Sequence, residues 1–174
     1  MEVVAQMGIR IEKAVPSDAA KLLEYLKQVG GETDNLTFGS EGMPFSVEAE
    51  AEFISSMENS IDNIMLLAKC DEKIVGCASL NRLPRRRKHR GDFAISVAKD
   101  YWNKGIGSQL MDKVISFAKE NKFEIIDLQV RSDNKSAIYL YEKYGFKKIG
   151  KHPAFFRISD KNISFDIMCL ELNE

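Results

Sequence analysis

The sequence predicts one α/β domain over residues 1–174, in which a mixed sheet carries helices on its faces. The chain is 44% hydrophobic, which is enough apolar side chain for a single domain with a sizeable core. Short strand-like runs alternate with amphipathic helical stretches along the chain. Two adjacent apolar runs that form a hairpin, followed by a strand-helix-strand unit, require both antiparallel and parallel strand pairs.

The first half of the chain predicts a strand, two helices and a hairpin. The stretch GIRIEKAV alternates apolar and charged residues, as a half-buried strand does. Pro16–Asp18 begin a helix that we expect to end at Gly30 and Gly31. The polar loop GETDNLTFGSEGMPF follows, and a loop of that length in a compact domain usually covers a site. Ser46 caps a second helix, and NIMLLAKC and IVGCASL form a hairpin across DEK.

The second half predicts two further helices between strands. A polar linker, NRLPRRRKHRG, leads to the strand DFAISV. Apolar residues at helical spacing predict an amphipathic helix from Gly105 to Lys119, followed by the strand FEIIDLQV. Asp133 or Asn134 begins the last helix, and Gly145 ends it in a left-handed conformation. With one or two strands in the tail, the sheet has six to seven strands.

Composition excludes several classes of protein. The formal net charge is -1, so the chain as a whole attracts neither polyanions nor polycations. No apolar run is long enough to span a bilayer, and the first residues do not resemble a secretion signal. Cys70, Cys77 and Cys169 are far apart, which favours reduced thiols over disulfides. No histidines or carboxylates have metal-ligand spacing. We therefore expect a cytoplasmic protein without a metal.

A pair of glycines lies between the strand DFAISV and the third predicted helix. Gly105 and Gly107 leave the first backbone N–H groups of that helix open to a ligand, and Ser108 adds a hydroxyl. Such a helix start favours a phosphate or pyrophosphate. The pattern is neither G-x-G-x-x-G nor G-K-[ST], so it is not the fingerprint of dinucleotide or nucleoside triphosphate binding. A turn without any ligand is the alternative interpretation.

The segments AISVAKDYWNKGIGSQLMDKVISFAK, IDLQV and NKSAIYLYEKYGF together resemble the core of the GNAT superfamily of acyl-CoA-dependent N-acyltransferases. The family has an Arg or Gln, two residues, a Gly, one residue, and a Gly or Ala before the third helix; Gly105 and Gly107 match. Its later element, N-x-x-A-x-x-L-Y-x-x-x-G-F, is matched in full from Asn134 to Phe146. The resemblance is closest over residues 93–150 and implies a GNAT-like, mostly antiparallel sheet with splayed central strands.

The resemblance implies acetyl-CoA as co-substrate and no metal. Its pantetheine arm would pair with backbone groups of the fourth strand, and its pyrophosphate would lie on the helix start. Trp102 departs from the family because it stands at the Arg or Gln position, so backbone amides and Lys104 would have to bind the phosphates. The residues expected to bind acetyl-CoA are Ile95, Ser96, Val97, Asn103, Lys104, Gly105, Ile106, Gly107, Ser108, Asn134 and Lys143.

The resemblance also implies catalytic roles. Tyr141 matches the family's general acid for the departing thiolate, and the alternative is a core tyrosine. Asp92 lies near the position of the family's general base, although a solvent-facing aspartate at a strand end fits the pattern as well. Glu32 and Asp34, in the first loop, are alternative bases. An N–H near Val97 resembles the family's oxyanion donor.

The run RLPRRRKHR could attract an acidic acceptor, a nucleic acid or the CoA phosphates, or it could be a solvated loop. No aromatic residue is interleaved with its cations, so nucleic acid is not an expected partner. The expected function is transfer of an acetyl group to a primary amine of a small molecule, protein or peptide. The rival is a non-catalytic CoA-binding sensor or RNA-associated module. The family further implies an acceptor pocket built from the first loop and the last strands, and a homodimer.

Overall fold

The structure, a computed structural model, describes residues 8–172. Within this range it has seven strands and four α-helices. In chain order they are β1 (Ile9–Lys13), α1 (Ala19–Glu32), α2 (Val47–Met57), β2 (Asn63–Cys70), β3 (Lys73–Arg82), β4 (Arg90–Val97), α3 (Ile106–Glu120), β5 (Ile125–Arg131), α4 (Lys135–Lys143), β6 (Lys147–Ile158) and β7 (Lys161–Glu171).

The seven strands form one mixed sheet in the order β1-β2-β3-β4-β5-β7-β6. Every neighbouring pair is antiparallel except β4 and β5, which are parallel. This confirms the mostly antiparallel sheet predicted from the sequence. The parallel pair arises because α3 carries the chain back to the same edge before β5 begins.

The parallel pair opens into a gap part-way along its length. Arg90, Gly91 and Asp92 of β4 pair with residues 125–127 of β5, and the pairing stops there. Both strands continue, β4 to Val97 and β5 to Arg131, each paired with its outer neighbour. The central strands are therefore splayed, as expected.

Helices cover both faces of the sheet. Buried residues of α3 and α4, such as Leu110 and Tyr141, pack with Phe93 and Leu128 in one core. Residues of α1 and α2, such as Leu22 and Ile54, pack with Leu67 in the second core. Successive residues of a strand point to opposite faces of the sheet. The side chains of β4 therefore alternate between the face that carries the first core and the face that carries the second.

The helix boundaries confirm most of the predicted caps and correct one. Ser46 and Asn134 accept hydrogen bonds from the backbone N–H groups three residues later, at 3.2 Å in both cases. Gly145 has a left-handed φ of 90° beyond α4. The prediction that Gly30 and Gly31 end the first helix was wrong, since α1 continues to Glu32. A Cβ on Gly30 would lie 2.0 Å from the Gly39 carbonyl oxygen, so this glycine lets the following loop pack against the helix.

The predicted linker at residues 81–91 was too long. Residues 81 and 82 belong to β3, and Arg90 and Gly91 belong to β4. Two cations of the predicted linker, Arg82 and Arg90, are held at these strand ends by carboxylates of the domain. Arg82 donates to Asp62 Oδ1 at 2.6 Å. Arg90 donates two bonds to the carboxylate of Asp127, at 2.7 and 2.5 Å.

None of the described helices is long and apolar enough to cross a membrane. The three cysteines form no disulfide with one another. Among residues 8–172, no cluster of three or more His, Cys, Asp or Glu side chains could hold a metal ion.

Candidate active site

A cavity of about 710 Å³ occupies the gap between β4 and β5. Its lining comes from both faces of the sheet, so it passes through the gap. We call its α3 and α4 side the helix-start half; it is lined by Phe93, Ile95, Val97, Trp102, Asn103, Gly105, Ile106, Gly107, Ser108, Asn134, Leu140, Tyr141 and Lys143. We call its α1 side the aromatic half; it is lined by Leu36, Phe38, Asp92, Gln129, Arg131, Phe155 and Phe165.

The start of α3 has the conformation that the glycine pair predicts. Gly105 is the N-cap residue and has a φ of 84°, which a residue with a Cβ adopts only at a cost. A Cβ on Gly107 would lie 3.2 Å from Leu140 Cδ2, so the helix start packs closely against α4. The first amides of α3 therefore open onto the cavity, and they carry the positive end of the helix dipole.

Trp102 has a structural role that the sequence did not reveal. Its indole N–H donates to the backbone carbonyl of Val97 at 2.7 Å. This bond ties the turn before α3 to the end of β4. The ring is 43% exposed at the rim of the cavity, so Trp102 offers a flat apolar face to anything that enters there.

The register of β4 directs backbone groups into the gap. Ala98 N–H donates to the Val75 carbonyl, and Val97 stands opposite Gly76. In an antiparallel ladder this makes Val97 a non-hydrogen-bonded residue, whose N–H and C=O point away from β3. Hydrogen-bonded and non-hydrogen-bonded positions alternate along the strand, so Ile95, two residues before Val97, is also a non-hydrogen-bonded residue. The amides of Ile95 and Val97 therefore face the gap, whereas the backbone of Ser96 faces β3.

Tyr141 lies at the inner end of the helix-start half. Its side chain is only 7% exposed, and its ring meets Phe93 edge-on at 6.4 Å and Phe146 at 5.8 Å. Among the described residues the hydroxyl has no hydrogen-bond partner, yet no polar atom there is both buried and unsatisfied, so it opens onto the cavity. Burial raises the pKa of Tyr141 above its usual range, which keeps the phenol protonated.

Asp92 lies on the opposite face of the sheet from Tyr141. Phe93 contacts Tyr141 on the α3 side, and its neighbour Asp92 points to the α1 side because strand residues alternate. The carboxyl lines the cavity. Partial desolvation, with the nearby charge of Asp127, raises the pKa of Asp92. The structure thus places a carboxyl and a phenol on the two sides of one gap.

The other two candidate bases are less well placed. Both carboxylate oxygens of Glu32 accept hydrogen bonds, at 2.7 Å from Gln28 Nε2 and at 2.8 Å from the Lys99 backbone N–H. Asp34 is exposed, as Asp92 is, and the Asp34 carbonyl accepts a bond from Arg131 at 3.3 Å. Neither Glu32 nor Asp34 belongs to the cavity lining, so the geometry favours Asp92.

Some of the other predicted residues line the cavity, whereas others make contacts elsewhere in the domain. Asn134 lines the cavity and also caps α4 through its Oδ1 atom. Lys143 lines the cavity near the end of the same helix. Lys104 instead folds back: its ammonium donates to the Asp100 carbonyl at 2.6 Å and lies over the Tyr101 ring. The Ser96 hydroxyl bonds to Tyr25 at 2.9 Å beneath β4.

The basic linker lies away from the cavity. Four of its cations are exposed, at Arg85–Lys88. They precede Arg90, and an eight-residue strand places that end of β4 about 20 Å from Val97. No residue of the linker belongs to the cavity lining. The linker is thus a solvated turn in this fold, with no direct contact to the helix-start half.

Apart from Asp92, the sequence did not predict which residues line the aromatic half. The first loop does contribute to the cavity, with Leu36 and Phe38, as the family resemblance implied for the acceptor pocket. The last strands contribute Phe155 and Phe165. The only sequence signal for these residues was the adjacent pair Phe155 and Phe156 after Pro153, which interrupts strand alternation.

Comparison with known proteins agrees with this fold. Residues 20–146 match the model of the acetyltransferase (GNAT) family. The chain therefore belongs to the GNAT family, whose members are acetyl-CoA-dependent N-acetyltransferases.

Individual relatives support the same assignment. An acetyltransferase of the GNAT family from Streptococcus pneumoniae has 31% identity and a TM-score of 0.89, covering 95% of this chain and 99% of that one. The yncA protein of Salmonella typhimurium, solved with its cofactor acetyl-CoA, shares the fold with a TM-score of 0.82 at 16% identity, covering 96% and 95% of the two chains. The N-alpha-acetyltransferase RimI of Mycobacterium tuberculosis is 31% identical over 93 residues, which are 53% of this chain. That match spans 57% of the mycobacterial protein, so the chain spans little more than half of this curated relative.

Proposed function

We propose that this protein transfers the acetyl group of acetyl-CoA to a primary amine by direct attack, with Tyr141 as general acid and Asp92 as general base. The observation that carries the proposal is the gap between β4 and β5, which has a phenol on one face and a carboxyl on the other. Direct transfer needs a proton acceptor beside the amine and a proton donor beside the leaving sulfur. The two groups satisfy these needs from opposite sides.

The chain's residues fit acetyl-CoA. The Ile95 and Val97 amides, directed into the gap, suit an extended amide-containing arm because they can pair with it as an added strand would. The open amides at the start of α3 suit a pyrophosphate. When bound, acetyl-CoA supplies the acetyl group as a reactive thioester.

The steps assigned to the chain follow from these positions. Asp92 accepts the proton of the acceptor amine, directly or through a water. The Val97 N–H stabilises the negative charge that develops on the carbonyl oxygen. Tyr141 donates its proton to the departing sulfur, and its raised pKa keeps the phenol protonated near neutral pH.

A thiol-release assay with acetyl-CoA tests the proposal. The panel should contain simple amines, polyamines, amino acids, aminoglycosides and peptides, and mass spectrometry should identify each acetylated product. We expect amine-dependent release of CoA and a product heavier by one acetyl group. Calorimetry with CoA, run beside it, separates the rival non-catalytic CoA-binding module: binding of CoA without turnover of any amine would contradict the enzyme.

Three further proposals follow, the first two from the composition of the chain and the third from the family resemblance. We infer a single catalytic domain, a cytoplasmic location and a homodimer, of which the last can be measured by analytical ultracentrifugation. Nucleic acid is not among the proposed partners, because the exposed cations at Arg85–Lys88 have no interleaved aromatic residue.

A further inference from the structure

The strand β6 is broken where it passes the cavity. His152 pairs with Phe165 and Phe156 pairs with Ile163, so three residues of β6 stand opposite a single residue of β7. Within this bulge Ala154 has a φ of 49° although it is not glycine. A strained residue of this kind persists only where the surrounding structure holds it, and such residues cluster at functional sites.

The bulge turns Phe155 toward the cavity. In a regular strand Phe155 and Phe156 would point to opposite faces, yet both rings pack on Phe165, at 4.7 and 4.8 Å between centroids. Bulges re-aim side chains in this way. Phe165 is 3% exposed and forms the floor, whereas Phe155 is 37% exposed and lines the cavity. The bulge therefore builds an open aromatic wall in the aromatic half.

The first loop supplies a second apolar wall. Leu36 and Phe38 line the cavity and pack against the core beneath α1. The loop is held in place at Gly30, where the Gly39 carbonyl and the Phe38 ring lie too close for any side chain. Arg131 adds a hydrogen bond to the Asp34 carbonyl. Both walls are thus fixed by contacts outside the cavity.

The charges of the cavity allow only one cation in the aromatic half. Asp92 is the sole acidic residue that lines the cavity among those described. Arg131 lines it too, but its guanidinium is bound by both oxygens of Asp133, at 2.6 and 3.0 Å. A polyamine or an aminoglycoside carries several positive charges and would need several carboxylates.

We propose that the acceptor is a primary amine with one positive charge and an aromatic or large aliphatic group, and that Phe155 determines this specificity. The inference rests on the proposed function and specifies its substrate class. The amino group lies at Asp92, and the apolar group packs between the Phe155 wall and the Leu36–Phe38 wall. Free amino acids and peptide N-termini both offer this chemistry when their side chain is apolar.

Steady-state kinetics with defined amines tests the proposal. We expect kcat/KM for 2-phenylethylamine to exceed the values for spermidine and kanamycin by at least tenfold. Phe155→Ala should lower kcat/KM for 2-phenylethylamine by roughly tenfold and leave it nearly unchanged for ethanolamine, because only the first amine contacts the wall. Ile149→Ala, at an exposed site on the same strand, should change neither value. Preference for spermidine or kanamycin, or an equal loss for both small amines in Phe155→Ala, would overturn the proposal.

Two further measurements complete the test. The first distinguishes a free amino acid from a peptide as the source of the amine, and the second shows which of the two proposals has failed. L-phenylalanine, L-phenylalaninamide and the dipeptide Phe-Gly distinguish a free amino acid from a peptide N-terminus, and a preference for any of them over spermidine supports the proposal. Calorimetry with CoA-saturated protein measures amine binding without turnover. Tighter binding of 2-phenylethylamine than of spermidine, without any turnover, would overturn the proposed function and support the acceptor class; the reverse order of binding would overturn the acceptor class itself.

Discussion

The two halves of the cavity are built in different ways. The helix-start half presents backbone amides of Ile95, Val97 and the first turn of α3, held by a left-handed glycine and by the Trp102 indole. The aromatic half presents side chains from a loop, a bulge and a buried strand that are far apart in sequence. Backbone amides bind any ligand with the same acceptor pattern, whereas side chains can change without disturbing the fold. This contrast suits a donor that is common to a family and an acceptor that differs between its members.

The contrast makes a general prediction about variants. Apart from the proposed general acid Tyr141, a residue changed in the helix-start half should alter the affinity for acetyl-CoA to the same extent with every amine. Apart from the proposed base Asp92, a residue changed in the aromatic half should have an effect that depends on the amine. A variant of either half that behaves like the other would break the comparison.

Asp92→Asn should have a larger effect than the variants of Gly105 and Trp102, because it removes the proposed base in the aromatic half. We expect kcat/KM to fall by about 100-fold with all amines and the affinity for CoA to stay unchanged. The pKa of Asp92 is raised, so the wild-type rate should fall as the pH drops through a value above the ordinary carboxyl range. A pH profile checks this point; if the acidic limb persists in Asp92→Asn, another group is the base.

The same pKa shift predicts the stability of the Asp92→Asn variant. Because the folded state binds the proton more tightly than the unfolded state, the stability that protonated Asp92 provides at low pH is lost as the pH rises through its folded pKa. The neutral Asn avoids this loss. Urea denaturation at pH 7 should therefore show Asp92→Asn at least as stable as the wild type, and a clear loss of stability would assign Asp92 a structural role instead.

Gly105→Ala should weaken CoA binding by roughly tenfold, since a left-handed alanine costs about 1–2 kcal/mol and disturbs the amides at the start of α3. The affinity for amines should not change. Gly8→Ala is the matched control, because Gly8 has a φ of 66° and nothing within 4 Å of a Cβ. Calorimetry with CoA measures both variants. Equal CoA affinity in Gly105→Ala and wild type would mean that this helix start does not hold the phosphates.

Trp102→Phe should have the smallest effect. It keeps an aromatic ring, although a smaller one, but removes the bond to the Val97 carbonyl, and one hydrogen bond of this kind is worth about 0.5–1.5 kcal/mol. We expect a loss of CoA affinity of a few-fold. Trp102 is the only tryptophan of the chain, so its fluorescence reports on this half directly. Emission that does not respond to CoA, while calorimetry shows binding, would place the ligand away from Trp102.

The sequence predicted the helix-start half much better than the aromatic half. Gly105, Asn134 and Gly145 are short-range signals, because each acts on the helix end at which it stands. The role of Trp102 was missed because an indole near a turn can pack, stack or donate, and only the position of the Val97 carbonyl decides which.

The aromatic half depends on contacts between distant residues. Phe155 reaches the cavity only because the register of β6 slips against β7, and no local pattern specifies that slip. Gly30 resembles a helix end in the sequence, but it is an interior position that a loop residue, Gly39, packs against. The cations at 82 and 90 likewise read as one linker until the fold brings Asp62 and Asp127 beside them.

The most direct test of the central claim compares Tyr141→Phe with Tyr139→Phe. Both tyrosines lie on α4 and line the cavity, but Tyr139 is 72% exposed and has no assigned role. With acetyl-CoA and a turned-over amine, we predict that Tyr141→Phe lowers kcat by about 100-fold or more while calorimetry shows unchanged CoA affinity, and that Tyr139→Phe changes neither. Wild-type kcat in Tyr141→Phe would contradict the account, because the thiolate would then leave without the proposed general acid.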